Sequence, residues 1–380
     1  MHGPRTVFRS ACQAALVFLT WAAASAQPPP EAPRFGDEIS VRLVTVVVRV
    51  VDGAGEPLLG LTPGDFRVKV GAREVPVTAV DWVATGTEPP AAPAAVGAVV
   101  AAPETATTSS PGAVSPAAAG KLVVIFVQAD GNSPTRTRGH LRTLPFTREL
   151  LDALQPEDQV AVMSFDSHLK LWQDFTRDRA AIPETIYQAI HYGGRPPAPP
   201  APPAPPAPDV AAAGDAVRLA DHFDPAAARD AASPERALAV TAEALAALPG
   251  EKVVVFLAWG LGSFSSWGTR MTPAFAPAVR ELKAARASVF VLDVTEADSH
   301  SMEVGLQGIA EATGGTYGKT NLFPGFAVQQ LARIISGYYV LTLDAAAVPA
   351  AGGEVEVALH GRRANVLLRP TAVPAGLGSR

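Results

Sequence analysis

The sequence predicts an α/β fold in which a doubly wound, mostly parallel sheet is joined to a small β-sandwich module formed by N- and C-terminal strands. Three observations predict it. Runs such as "KLVVIFV" at 121–127 and "KVVVFLA" at 252–258 are almost wholly apolar, as strands buried on both faces require. Segments with helical periodicity alternate with these runs, and strand–helix alternation implies parallel crossover connections. Residues 38–83 and 337–370 are rich in β-branched residues, and "FRVKV" at 66–70 alternates apolar with polar. Each of these two sets leaves an apolar face, and packing one set on the other buries both.

Taken in order, residues 1–26 read as a signal peptide. Arg5 and Arg9 give a basic start, "ACQAALVFLTWAAASA" an apolar stretch, and Ala24-Ser25-Ala26 a small-residue cleavage site. The apolar run is shorter than the roughly 20 residues that span a bilayer, which favours cleavage over a retained anchor. A periplasmic or secreted location is expected, with no membrane span after signal cleavage. Cys12, the single cysteine, lies inside this peptide. The mature chain would then have no thiol, which excludes cysteine nucleophiles, disulfides and cysteine-ligated metals. Removing 1–26 shifts the formal charge from −5 to −7. No nucleic-acid partner is expected of a mildly acidic exported chain.

The N-terminal β-module spans 38–83. Residues 84–120 are almost all Ala, Pro, Gly, Ser, Thr and Val, lack bulky side chains to bury, and read as a linker. The region 121–336 holds the alternating strands and helices. Its strands are "KLVVIFV", "QVAVMSF", "KVVVFLA" and "SVFVLDV", and its helices include "LPFTRELLDALQ", "RAAIPETIYQAI", "SPERALAVTAEALAAL", "FAPAVRELKAARA" and "MEVGLQGIAEATG". Ser233 with Pro234 is a cap and first-turn pair. A Pro-rich insert at 195–232 interrupts this region and begins as a polyproline II rod, "RPPAPPAPPAPPAP". Residues 337–370 return to strands, "YYVLTL", "GEVEVALH" and "RANVLLRP", expected to pack on the N-terminal module.

A buried strand ending in a polar turn, then "LQPEDQVAVMSFDSHLKLWQDFTRDRAAIPETI", a Gly-Gly at 193–194, and "EKVVVFLAWG" together resemble the von Willebrand factor type A domain. More narrowly, the chain resembles the VWFA-related acidobacterial domain proteins, exported bacterial proteins with a preceding module matched here by 41–72. Their "LAxxTGG" is matched by Ile309 to Gly315 and their "YYLLxY" by Tyr338 to Thr342. The resemblance covers nearly everything from 38 to 370 apart from the two low-complexity stretches.

Metal-binding members carry an adhesion site of Asp-x-Ser-x-Ser, a loop Thr and a later Asp, the oxygen-rich set a hard divalent cation needs. The resemblance carries those positions onto Gln128, Asp130, Asn132, Arg195 and Trp259. Gln128, Arg195 and Trp259 cannot serve as the missing anionic or hydroxyl ligands, so a degenerate site with no metal and no cofactor is expected. A second arrangement stays open, in which Asp130, Asp293, Glu296 and Asp298 rebuild a cation site; the plainer alternative is solvated loop acids.

Other chemistry fits poorly. "TGGTYGKT" at 313–320 lacks the leading Gly of a phosphate loop and follows a helix instead of a strand, so it reads as a helix C-cap turn. No G-x-S-x-G elbow occurs, and the histidines show no metal-ligand spacing. "DHFD" at 221–224 reads as solvated loop. What remains at the strand C-terminal ends is aromatic and basic: Trp259, Phe264 and Trp267 in a glycine-rich loop, with Arg195 nearby. Such aromatics serve binding hot spots or cap the sheet, and both roles stay open. The expected function is an exported, non-catalytic recognition or adhesion module for a protein or glycan partner. A metal-assisted envelope enzyme and a structural spacer are the alternatives.

Overall fold

A computed structural model describes residues 43–84, 120–191, 217–266, 268–361, 364–369 and 371–373. The expected signal peptide at 1–26, nearly all of the 84–120 linker, the start of the insert with Arg195, and Trp267 lie outside these residues.

The N-terminal part contributes β1 (Leu43–Val51), β2 (Phe66–Val70), β3 (Arg73–Val75) and β4 (Val77–Ala84). After β5 (Leu122–Gln128), the helices α1 (Pro134–Thr143) and α2 (Thr147–Asp152) lead to the hairpin of β6 (Gln159–Phe165) and β7 (Leu169–Thr176). Then come α3 (Ile182–His191), α4 (Pro225–Arg229), α5 (Pro234–Ala246) and β8 (Lys252–Ala258). A short hairpin of β9 (Ser263–Ser265) and β10 (Gly268–Arg270) precedes α6 (Phe275–Ala284) and β11 (Ala287–Asp293). The chain continues through α7 (Glu303–Ala312), β12 (Tyr317–Lys319) and α8 (Pro324–Ile334). It ends in β13 (Gly337–Asp344), β14 (Gly353–Leu359), β15 (Asn365–Leu368) and β16 (Ala372–Val373).

The structure is mixed α/β with a mostly parallel main sheet. That sheet has the order β12-β11-β8-β5-β6-β7, parallel except at the β6–β7 edge. Every position of β5, β8 and β11 is buried, because successive side chains point to opposite faces and both faces are covered. Val124, Phe126, Val254, Phe256 and Val289 pack in one cluster with residues of α5, α6 and α7. Their sequence neighbours Val123, Ile125, Val253, Val255 and Phe290 pack in a second cluster with residues of α2, α3 and α8.

Two antiparallel sheets accompany it, β15-β1-β13-β4 and β16-β14-β2-β3. Alternate residues of β2 are buried, and Phe66, Val68 and Val70 share one cluster with Val46, Val48, Leu341 and Leu343 of the other sheet. Tyr339 lies within this cluster, its ring edge-on to Phe66 at 5.7 Å and to Trp82 at 4.8 Å. Its hydroxyl donates to the Leu58 carbonyl oxygen at 2.8 Å.

A buried ionic group links β1 to the main sheet. Arg49, 1% exposed, pairs with Glu251 immediately before β8 and lies 5.4 Å from the centre of the Phe290 ring. Beside it, Lys121 Nζ donates to the Ile335 carbonyl oxygen at 2.9 Å and sits 3.3 Å from Asp158.

Several segments depart from the sequence expectation, among them "TGGTYGKT": its Tyr317–Lys319 part, read as a helix C-cap turn, is strand β12 and pairs with β11. Helix α1 lies where the sequence predicts no helix, because "PTRTRGHLRT" has no apolar stripe; it buries Gly139, His140 and Thr143. Helix α8 lies where the sequence analysis places no helix; its Pro324 sits in the first turn, which proline suits. The described end of the insert enters the core through Leu219, Ala228 and Ala231, anchored by Leu219 and Ala220 N–H groups donating to Asp174. "DHFD" is therefore not simply solvated loop: Asp224 accepts from Ala226 N–H at 2.8 Å as the N-cap of α4. Among the described residues, no helix is long and apolar enough to cross a membrane.

Candidate functional site

Strand order runs outward from β5 through β6 to β7 on one side, and from β8 through β11 to β12 on the other. The direction reverses between β5 and β8. In open α/β sheets the crevice outside the strand C-termini at such a reversal is where ligands bind. Gln128 ends β5 there, and Trp259 follows β8.

Gln128 is 1% exposed and ties the two strand ends together. Its Nε2 donates to the Gly260 carbonyl oxygen at 2.8 Å, and its Oε1 accepts from the N–H groups of Trp259 at 3.0 Å and Gly260 at 3.3 Å. A carboxylate cannot make the first of these bonds. The amide is committed to the loop and presents no free oxygen to a cation.

Asp130 accepts from Asn132 N–H at 3.1 Å, which shapes the turn, and pairs with Arg136 of α1 at 2.5 Å. The Arg136 guanidinium lies 3.4 Å from the centre of the Trp259 ring. The Arg136 side chain is 33% exposed, so the stacking contributes on the order of 1 kcal/mol. A fixed positive charge thus lies between Asp130 and Trp259, and no motif pointed to Arg136 in advance. Asp130, Gly131 and Asn132 also line a cavity of about 210 Å³ with Asp166, Ser167, Ile190 and His191.

The aromatic residues divide. Trp259 is half-buried and packs against the core cluster below. Phe264, on the β9–β10 hairpin, is 69% exposed. The four acids considered as a rebuilt cation site are engaged separately. Asp130 is with Arg136, Glu296 with Arg138 at 3.1 Å, and Asp298 accepts from Asn321 at 3.0 Å. Asp293 is 1% exposed, so it is not a solvated loop acid; it accepts from Thr295, His300 and Tyr317.

Behind Gln128 lies His140, 1% exposed. A Cβ on the preceding Gly139 would fall 1.9 Å from the Val294 carbonyl oxygen, so only glycine lets α1 approach this closely. His140 Nε2 sits 2.8 Å from the Gln128 carbonyl oxygen, an acceptor, so Nε2 carries the proton. Burial pushes the His140 pKa down to about 4. The unfolded chain takes up a proton near pH 6.5 that the folded chain refuses until about pH 4, so stability falls as pH drops through that window. At pH 4.5 the expected loss from this group is on the order of 2–3 kcal/mol. Urea midpoints at pH 7 and 4.5 check it: His140→Gln should flatten the pH dependence relative to wild type, and equal slopes would refute the assignment.

No protein-family model matches the chain, and no curated protein matches it. Among solved structures it is similar to a von Willebrand factor type A protein from Catenulispora acidiphila, at 13% identity over 86% of this chain and 78% of that one, TM-score 0.40. The PilB minor pilin from Streptococcus sanguinis is similar at 12% identity over 57% of this chain, TM-score 0.34. The match spans 60% of the pilin's own length. The conserved hypothetical protein BatB from Bacteroides thetaiotaomicron is similar at 11% identity over 57% of this chain and 98% of that one, TM-score 0.33. At such values the likeness identifies no family and carries no functional argument.

Proposed function

We infer that the protein is an exported, non-catalytic recognition module that binds a protein or glycan partner at the strand C-terminal face of its main sheet, without a divalent cation. The observation that carries this reading is the Asp130–Arg136–Trp259 stack. A guanidinium stands beside the carboxylate that the resemblance places in an adhesion site, and Gln128 spends its amide on the loop backbone. A second charge of the same sign would be repelled there, so this is a degenerate adhesion site. The same reading takes the main sheet as doubly wound, because helices feed both of its hydrophobic clusters. It takes the two antiparallel sheets as one sandwich over their shared core.

Phe264 supplies the exposed aromatic, while Trp259 supports the surface from beneath. Large aromatics dominate binding because they bury much area at low entropy cost. The enzyme alternative is weakened by the serine–histidine contact seen among the described residues. Ser167 Oγ is 3.0 Å from His168 Nδ1, but Asp166 approaches that same nitrogen at 4.0 Å. A triad needs serine and carboxylate on opposite ring nitrogens.

Capture of envelope proteins and glycans on immobilised protein tests the reading. Phe264→Ala should weaken retention roughly 30-fold, the equivalent of about 2 kcal/mol, with an unchanged melting temperature. Full retention by folded Phe264→Ala and Trp259→Ala would move binding off this face.

A further inference from the structure

Away from the Arg136–Trp259 stack, the end of β11 gathers three metal-ligating side chains. Asp293 closes that strand, His300 lies in the following loop, and Glu303 opens α7. One ligand atom from each lies within 4.8 Å of the others. His300 Nε2 is 2.7 Å from Asp293 Oδ2. The Tyr317 hydroxyl is 2.5 Å from that same oxygen and 3.3 Å from Glu303 Oε2.

The two Asp293 oxygens have different surroundings. Oδ1 accepts from the Thr295 backbone N–H at 3.0 Å and the Thr295 hydroxyl at 2.8 Å, which fixes the carboxylate in place. Oδ2 faces His300 and Tyr317. Asp293 is buried, whereas the His300 and Glu303 side chains are 18% and 19% exposed, so an ion can reach the cluster from solvent. Lys319 Nζ lies 2.7 Å from Glu303 Oε2 and also donates to the Asp298 carbonyl oxygen. It therefore keeps an acceptor when Glu303 turns to another cation.

We propose that Asp293, His300 and Glu303 form a three-ligand site for a divalent transition ion of the Zn²⁺ class. Two carboxylates and one imidazole suit Zn²⁺, which takes nitrogen and oxygen ligands at about 2.0–2.2 Å and leaves a fourth position for water. Imidazole selects against Mg²⁺ and Ca²⁺, which prefer all-oxygen sets. Thr295 and Tyr317 supply the outer hydrogen bonds that orient ligating carboxylates. Lys319 acts as a built-in competitor for Glu303. The site lies on the same strand C-terminal face, because β11 runs parallel to β8 with Asp293 level with Ala258, but its ligands are separate from the Asp130–Arg136–Trp259 stack, which holds its own cation in Arg136.

Zn²⁺ titration of the chelator-stripped full chain against a chromogenic chelator tests the site. Wild type should take up one equivalent, and 1 mM Mg²⁺, an amount on the order used to test oxygen-ligand sites, should not displace it. His300→Ala and Glu303→Gln, both at partly exposed positions, should each weaken binding at least about tenfold while the fold is retained. Lys319→Met should tighten binding, an outcome that a purely structural hydrogen-bond network does not produce. Absence of an equivalent in wild type, displacement by Mg²⁺, or one affinity shared by wild type, His300→Ala and Lys319→Met would overturn the proposal.

Discussion

Glu251→Gln is expected to destabilise the folded chain by roughly 3–5 kcal/mol, the usual cost of leaving a buried charge without its partner. Glu251 is the acid that Arg49 pairs with, at side-chain exposures of 6% and 1%. It also opposes the burial that holds Lys121 and Arg369 below their ordinary pKa values. With Glu251 neutralised, Asp158 remains as the acid beside Lys121. Because Arg49 belongs to β1 and Glu251 precedes β8, the loss falls on the attachment of the antiparallel sheets to the main sheet. The double variant Arg49→Met with Glu251→Leu should recover most of the stability, since replacing a whole buried pair by apolar side chains is often neutral or better. Urea unfolding measures both. A single-variant cost below about 1 kcal/mol would mean that the pair is wetter than its burial indicates.

The second large effect is expected at Gln128. Gln128→Ala leaves the Trp259 and Gly260 N–H groups and the Gly260 carbonyl oxygen without their partner. Stranded buried polar groups cost about 1–3 kcal/mol each when water cannot replace the bond, and about 3 kcal/mol in total is expected. Gln128→Glu is the sharper comparison. It preserves shape but sets a carboxylate oxygen against the Gly260 carbonyl oxygen, and it should be no more stable than Gln128→Ala at pH 7. If Gln128→Glu instead matched wild type, the amide would not be bridging β5 and β8.

Much of this architecture was legible because its cause is local. "LVVIFVQ" and "KVVVFLA" have no polar side on which a helix or exposed strand could rest, and both are buried throughout. Ser233 and Pro234 open α5 as read, with Ser233 Oγ accepting from Arg236 N–H at 3.2 Å. Helix α1 was illegible for the opposite reason: it docks through Gly139 and His140, a close backbone approach and one buried imidazole, and neither leaves a periodic signature.

The candidate site divides in the same way. Substitution of a carboxylate by Gln128 was visible in the sequence, but its three hydrogen bonds to the β8 loop were not. Arg136 lies six residues beyond Asp130 in an unrecognised helix, so its place on the Trp259 ring had no sequence signal. Likewise the sequence groups Asp293 with Asp130, Glu296 and Asp298 as acids expected at one sheet edge. Burial and direction instead join it to His300, Glu303 and Tyr317.

The cation-independent reading of the Asp130–Arg136–Trp259 face is tested most directly by Mg²⁺ titration calorimetry on the full chain, with Arg136→Ala and Asp130→Ala alongside. Mg²⁺ is the informative ion because the imidazole-containing cluster at β11 disfavours it. The account predicts no saturable heat with wild type, because the Arg136 guanidinium already neutralises Asp130. One equivalent of Mg²⁺ bound by wild type and lost in Asp130→Ala would contradict it.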